Sequence, residues 1–409
     1  MACDPASRAG AILEIDLGAI VANWRLLAAQ AAPAECAAVV KADAYGLGAV
    51  PVARALSHAG CRIFFVATLD EGIALRRVLG GGPEIAVLNG PFPGTAAEFA
   101  HHALIPVLNE PGQIAEWHRT PLPHRGRGRG PARQGWEGEG GASQMPSPAA
   151  VLRASAPSPA VRERGNDAAA LAILHLDTGM SRLGLTAAEF ARLVGDPPAI
   201  RWRAVMSHLA CADSPEHPKN ASQRARFSAA AKRLPGIALS LAASSGIFLG
   251  APYHFDLVRP GAALYGVNPQ PGHANPLRQV VRLSAKIVQV RQIDRGESVG
   301  YGAAHVMQAP GRLATVAVGY ADGWLRSLGH RGCAHIAGTR VPLVGRVSMD
   351  LVTFDVSAVD PAVARPGAFV ELLGASYGID DAAADAGTIG YEILTALGAR
   401  YHRTYRAAG

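Results

Sequence analysis

Eight short apolar runs recur before about residue 275, with helix-period stretches between most of them. The runs span 37–40, 62–67, 84–88, 104–108, 170–176, 201–207, 238–242 and 254–258. Stretches such as 69–79, 187–194 and 223–233 carry the helical period instead. Eight strand-like runs alternating with helices predict an α/β fold, an amino-terminal (β/α)8 TIM-type barrel. After about residue 277 the pattern changes to strand-like runs at 280–293, 313–318, 340–344, 351–356 and 368–373, with glycine-rich turns and one helix at 389–397. That predicts a carboxy-terminal, mainly β domain. The run 11–15 precedes the first helix and is expected to pair with that β domain rather than with the barrel. A chain of 409 residues is too long for one ordinary domain and fits two. The division expected is a barrel of residues 17–276 and a β domain of 1–16 plus 277–409.

Segment 120–168 stands apart in composition. Glycine and proline dominate it, and few large apolar side chains occur there, chiefly Leu122, Trp136, Met145, Val151, Leu152 and Val161. Such a stretch cannot bury enough surface to offset its ordering entropy, so it reads as a disordered insertion between the fourth and fifth runs. A rim loop of a barrel tolerates such an insertion. Three alternating arginines near Arg127 are too weak a signal for nucleic-acid contacts.

The net charge of +7 is nearly all arginine, and with the insertion set aside it is no nucleic-acid footprint. No run of about 18 uncharged apolar residues predicts a membrane span. The stretch MACDPASRAG lacks a basic segment followed by an apolar one, so no secretory signal is expected. Cys3, Cys36, Cys61, Cys211 and Cys333 are scattered, with no C-x-x-C pair and no metal-ligand spacing. A reduced, cytoplasmic enzyme without a structural metal is the expectation.

Only four lysines occur: Lys41, Lys219, Lys232 and Lys286. Lys41 ends the first apolar run, which in a barrel places it at the carboxyl end of the first strand, where barrel enzymes put their chemistry. Apolar neighbours would partly desolvate its amine, lower its pKa and make it a usable nucleophile or Schiff-base former. On position alone, a lysine reaching from a strand end to water is equally consistent. Arg182 follows the fifth run, His208 the sixth, Ser244, Ser245 and Gly246 the seventh, and Arg259, Gly261 and Ala262 the eighth. Backbone amides and hydroxyls after strands seven and eight form the usual barrel phosphate site. A lysine and a phosphate cradle across one mouth point to pyridoxal 5'-phosphate.

The stretch AVVKADAYGLG at 38–48 closely resembles the cofactor-lysine motif of the alanine racemase family. The resemblance continues through EIDLGAI, HLDTGMSRLG, SHLACAD, LVRPGAALYG, SVGYGA, VGYADGW, GRVSMD and TIGYE, in the family's order, and spans nearly the whole chain except 120–168. It implies a barrel with a β domain, a head-to-tail homodimer with composite active sites, and interconversion of L- and D-alanine supplying D-alanine for peptidoglycan. It further implies that Lys41 forms the Schiff base with pyridoxal phosphate and is the base for the D-enantiomer. Tyr301 from the partner subunit would be the opposite base, since racemisation requires one on each face. Arg259 would face the pyridine nitrogen with His208 beside the ring. Tyr45, Ser245, Gly261, Ala262 and Tyr391 would hold the phosphate. Arg182 and the Met349 amide would bind the substrate carboxylate, and Tyr320, Asp213, Arg326, Arg346 and Asp350 would line the entrance.

Two positions depart from the family's pattern. His175 stands where many members carry a carbamylated lysine that orients the substrate-binding arginine, so Arg182 needs another anion, such as chloride, or neutral His175. Ser244–Ser245 stands where Asn–Ser is common. A broad-specificity racemase of the same fold is the alternative reading. A decarboxylase of that fold and a pyridoxal-phosphate carrier fit less well, because the β domain with Tyr301 and Met349 matches the racemases.

Overall fold

The computed structural model describes residues 4–120 and 171–407; the insertion expected at 120–168 lies, Thr120 apart, outside the described residues. Seven parallel strands follow one another in chain order, from Ala38–Val39 through Ile63–Val66, Glu84–Val87, Ile105–Leu108, Leu171–His175 and Arg201–Met206 to Ala238–Ser240. An eighth, Leu257–Val258, pairs in parallel with Glu35–Cys36, which leads directly into Ala38–Val39. It also bonds back to the seventh, through the Arg259 amide on Ala242 O at 2.9 Å and a parallel bridge between Ala243 and Arg259. The sheet therefore closes, and the eight runs of the sequence are the eight barrel strands.

Burial explains why these runs read as continuous apolar blocks. Ile63–Val66 and Ile105–Leu108 are buried at every position, because one face fills the barrel and the other packs under helices. Each side chain so buried contributes roughly 1.5–3 kcal/mol. Polar side chains enter the barrel at its amino-terminal end, where Arg203 bridges Glu84 at 2.8 Å and Glu35 at 2.9 Å. At the other end the strands deliver their functional loops.

The helices begin where side chains can satisfy their free amides. Thr68 and Glu71 form a capping box at Leu69–Leu79, and Thr186 and Glu189 do the same at Ala187–Gly195. The helix expected at 223–233 runs instead over Pro218–Ala231. Its first turn lacks apolar periodicity because buried polar groups anchor it: Asn220 Nδ2 donates to Cys211 O and Ser214 O, and Gln223 Nε2 to His208 O.

The carboxy-terminal domain is mainly antiparallel. Its central strand, Val281–Ile293, alternates buried and open positions, and its register shifts between Ile287 and Gln289. One half pairs with Ala11–Asp16 and Phe369–Leu373, the other with Gly311–Val316. Ala11–Asp16 thus joins this domain, as its sequence position suggested. Cys333–Ile336 and His402–Arg406 are further strands that the sequence reading missed. The first is only four residues, and HRTYR carries no apolar alternation. His402–Arg406 pairs in parallel with Ala11–Asp16, and its side chains reach the barrel: Arg403 Nη2 donates to Gly46 O at 2.9 Å and Tyr405 OH to Leu47 O at 3.1 Å.

Candidate active site

Lys41 leaves the first barrel strand into a turn of unusual hand. Ala42, Asp43, Ala44 and Tyr45 all lie in the left-handed helical region, with φ between 52 and 55°. For residues with a Cβ this costs roughly 1–2 kcal/mol each, so surrounding contacts must impose it. Ala44 N donates to Val40 O at 2.9 Å, Gly48 N to Asp43 O at 2.8 Å, and Ala49 N to the Asp43 carboxylate at 2.7 Å. The turn leaves Lys41 half-buried and swings Tyr45 beneath the mouth, its ring 4.9 Å from Tyr265 and 6.0 Å from Tyr391. Tyr391 sits on the β-domain helix Gly390–Ala396, which caps this side of the barrel.

Lys41 opens into a cavity of about 790 Å³. Of the residues singled out by sequence, Tyr45, Arg182, His208, Arg259, Gly261, Ala262 and Tyr391 line it with Lys41. Gly261 must lack a side chain, because a Cβ there would collide with the Tyr45 hydroxyl. Ser245 does not line the cavity but its neighbour Ser244 does, and the buried Ser244 Oγ accepts from the Gly261 and Ala263 amides at 3.0 and 3.2 Å. Tyr301 and Met349 lie outside the cavity on the surface of the β domain, 73% and 53% exposed. Asp213, Tyr320, Arg326, Arg346 and Asp350 do not line it either. The Tyr320 turn and the Met349 loop are nonetheless joined, by Tyr320 N to Ser348 O and Ala321 N to Met349 O, both at 3.0 Å.

Electrostatics mark the cavity as strained. Arg259 is buried, donates to Ser240 Oγ and to Ser207 O at 2.7 Å, and has no carboxylate partner among the described residues. Burial pulls its pKa down to about 10, which leaves it cationic at neutral pH. A buried guanidinium without an anion is costly. Lys41 is pulled below the usual lysine range by desolvation and then by Arg182, while Glu71 acts the other way. His208 is held down to about 3 by desolvation, Arg259, Arg182 and other neighbours, and is neutral.

His175 is buried at the end of the fifth strand, and its Nδ1 lies 2.8 Å from Asn109 Oδ1. Asn109 Nδ2 donates to Leu88 O and Val107 O, so Oδ1 is the acceptor and His175 Nδ1 carries the proton. Desolvation and then Arg259 lower His175 to about 4, so the ring is neutral with its acceptor at Nε2. Beyond it, the Asp177 carboxylate accepts from the Gly179, Met180 and Ser181 amides and shapes the loop that presents Arg182. Asn109, Asn89, Thr388 and Glu71 escaped the sequence reading. The available signal was a polar side chain ending an all-buried strand for Asn109, and a capping-box glutamate directly beside the lysine strand for Glu71.

A closed parallel barrel with a desolvated lysine and an unpaired arginine at its carboxyl mouth, roofed by a β domain, defines a two-domain barrel enzyme. The profile of the alanine racemase amino-terminal domain matches residues 15–128 and 154–269, and that of the carboxy-terminal domain matches 280–405. The alanine racemase of Rhodospirillum rubrum is 50% identical over 402 residues, covering 97% of this chain and 96% of its own. The catabolic alanine racemase of Mesorhizobium japonicum is 48% identical, covering 97% and 93%. Among solved structures, alanine racemase from Bartonella henselae with covalently bound pyridoxal phosphate superposes with a TM-score of 0.83 at 38% identity, covering 97% of this chain and all of that one. The chain belongs to the alanine racemase family.

Proposed function

We propose that the chain interconverts L- and D-alanine with pyridoxal phosphate held at Lys41. The observation that carries this reading is the desolvated Lys41 sharing one cavity with the unpaired, buried Arg259. The residues present fit the group. An amine whose pKa burial lowers suits imine formation, the bared backbone at Gly261 and the Tyr45 and Tyr391 hydroxyls suit a phosphate, and Arg259 suits a pyridine nitrogen as a permanent donor. The Ala262 amide would complete the phosphate set, with Ser245 next to the cavity-lining Ser244 as the remaining candidate, and neutral His208 would flank the ring. The chemistry supplied by the bound cofactor is acidification of an amino acid's Cα–H and delocalisation of the electron pair left behind.

The protein's own groups do the rest. Lys41 Nζ takes or returns the Cα proton on one face, and the Tyr301 hydroxyl does so on the other. Arg182 and the Met349 amide receive the carboxylate, and His175 offers Arg182 an acceptor without charge. The exposure of Tyr301 and Met349, outside this chain's own cavity, supports the reading that they serve the site of a partner subunit in a head-to-tail homodimer. Asp213, Tyr320, Arg326, Arg346 and Asp350 border its entrance. In this reading the barrel of residues 17–276 carries the cofactor, and residues 1–16 with 277–409 form the β domain that completes the partner's site. Cys36, Cys61, Cys211 and Cys333 are all free thiols, which suits a reducing cytoplasm, where D-alanine would feed peptidoglycan synthesis. Among the described residues no helix is long and apolar enough to cross a membrane.

The test is racemisation by purified, cofactor-loaded protein over a panel of L-amino acids, with sedimentation to count subunits. Alanine should be turned over fastest, by a dimer. A loaded protein inert towards alanine overturns the reading, and equal rates across larger side chains would favour a broad-specificity racemase.

A further inference from the structure

Outside the cavity just described, one half-buried carboxylate, already part of a capping box, also sits against the catalytic turn. Glu71 Oε1 accepts from Ala42 N at 2.7 Å. Glu71 Oε2 accepts from Ala67 N at 2.7 Å and Thr68 N at 3.2 Å. One carboxylate thus joins the turn after Lys41 to the end of the second barrel strand and the first turn of Leu69–Leu79.

We propose that Glu71 is a positioning residue for Lys41, splinting the left-handed turn so that the amine keeps its direction into the cavity. The proposal rests on the reading of Lys41 as the cofactor lysine. The Ala42 N–H belongs to the peptide plane between Lys41 and Ala42, so the bond to Glu71 fixes the orientation of that plane, from which the Lys41 side chain departs. The other ties act further along: Asp43 holds Ala49 N, and Arg403 and Tyr405 hold Gly46 O and Leu47 O. None of them touches the peptide plane at which the left-handed stretch begins. Only a carboxylate meets the demand, since three amide donors converge on two oxygens. Glutamine would turn its own N–H groups toward a donor, and aspartate is one methylene too short to reach both sides. The Glu71 charge also raises the pKa of Lys41, against the lowering by burial and by Arg182.

The experiment uses the full chain as wild type, Glu71→Gln and Glu71→Asp. Because only four lysines occur, reductive ¹³C-methylation of cofactor-free protein lets the Lys41 titration be followed by NMR. Cofactor-loaded protein is then assayed for exchange of the D-alanine Cα proton with deuterated solvent. In Glu71→Gln the Lys41 midpoint should move down by about one pH unit. Exchange should fall roughly tenfold, with KM within about twofold of wild type. Glu71→Asp should restore the midpoint but not the exchange rate, since it keeps the charge and loses the reach. Wild-type midpoint and exchange in Glu71→Gln, with only a lower melting temperature, would reduce Glu71 to a helix cap and overturn the proposal. If Glu71→Gln does not fold, wild-type exchange by Glu71→Asp overturns it instead. If wild type exchanges no alanine proton at all, the proposed reaction fails, and the Lys41 midpoint alone decides the role of Glu71.

Discussion

His175 and His208 are neutral for the same reason: each is desolvated among cations, so its protonated form has no counter-charge. The consequence for stability has a definite sign. Below its ordinary value of 6.5 the unfolded chain protonates His175, whereas the folded chain resists until about 4. The unfolded state then binds more protons, so stability is lost as pH falls across that window. The slope from His175 approaches about 1.4 kcal/mol per pH unit. Urea unfolding of wild type and His175→Gln at pH 7, 6 and 5 checks this, and the variant should lose less stability on acidification. Parallel curves would mean that His175 does not resist protonation. Tyr301 invites a different measurement. Tyr301→Phe should stop exchange of the L-alanine Cα proton, while Lys41 still exchanges that of D-alanine with retention. Loss of both exchanges, or of neither, would end the assignment of one base to each face. Lys41, Arg182 and Arg259 were legible in the sequence because each follows an apolar strand. Asn109 was not, because its work is a hydrogen bond to a residue 66 positions away.

Elements were legible in proportion to how their burial repeats. The helix expected at 69–79 was found over Leu69–Leu79, because its period and its capping box agree. The left-handed turn after Lys41 left no such trace: Ala-Asp-Ala-Tyr has no glycine to announce positive φ, and tertiary hydrogen bonds impose it. Gly46, which closes the turn at φ +82°, is the weak point. A Cβ there would meet Leu394 O at 2.6 Å, on the helix that carries Tyr391. Gly46→Ala should therefore destabilise by about 3 kcal/mol, combining strain at positive φ with overpacking. It should also weaken cofactor retention, since Tyr391 moves with its helix. Urea denaturation and the cofactor's absorbance after dialysis read the two effects. A stable variant that keeps its cofactor would show that the helix shifts without consequence for the mouth.

At the scale of the whole molecule, the two-domain plan was legible because the period of burial changes near residue 277, from solid blocks to alternation. The roofing of the barrel by its own β domain was not, because HRTYR carries no apolar alternation and acts through Arg403 and Tyr405. The composition of residues 122–166 predicts that they are dispensable, and within that region the amino-terminal family profile leaves 129–153 unmatched. Deleting them should leave thermal unfolding and racemisation within about twofold of the full chain. Insoluble protein, or loss of racemisation with the cofactor still bound, would show that the segment contributes to the fold or the site.

The clasp of the last strand on the lysine turn also sets a clock. Leu47 and Tyr405 touch, yet 358 positions separate them along the chain. At a synthesis rate of about 5–20 residues per second, Tyr405 is made on the order of twenty to seventy seconds after Leu47. Ala11–Asp16 waits as long for His402–Arg406, its parallel neighbour. The residues of the barrel are therefore all synthesised before Arg403 and Tyr405 can tie Gly46 and Leu47. The tie between the lysine turn and the β domain can therefore form only long after the turn itself is synthesised.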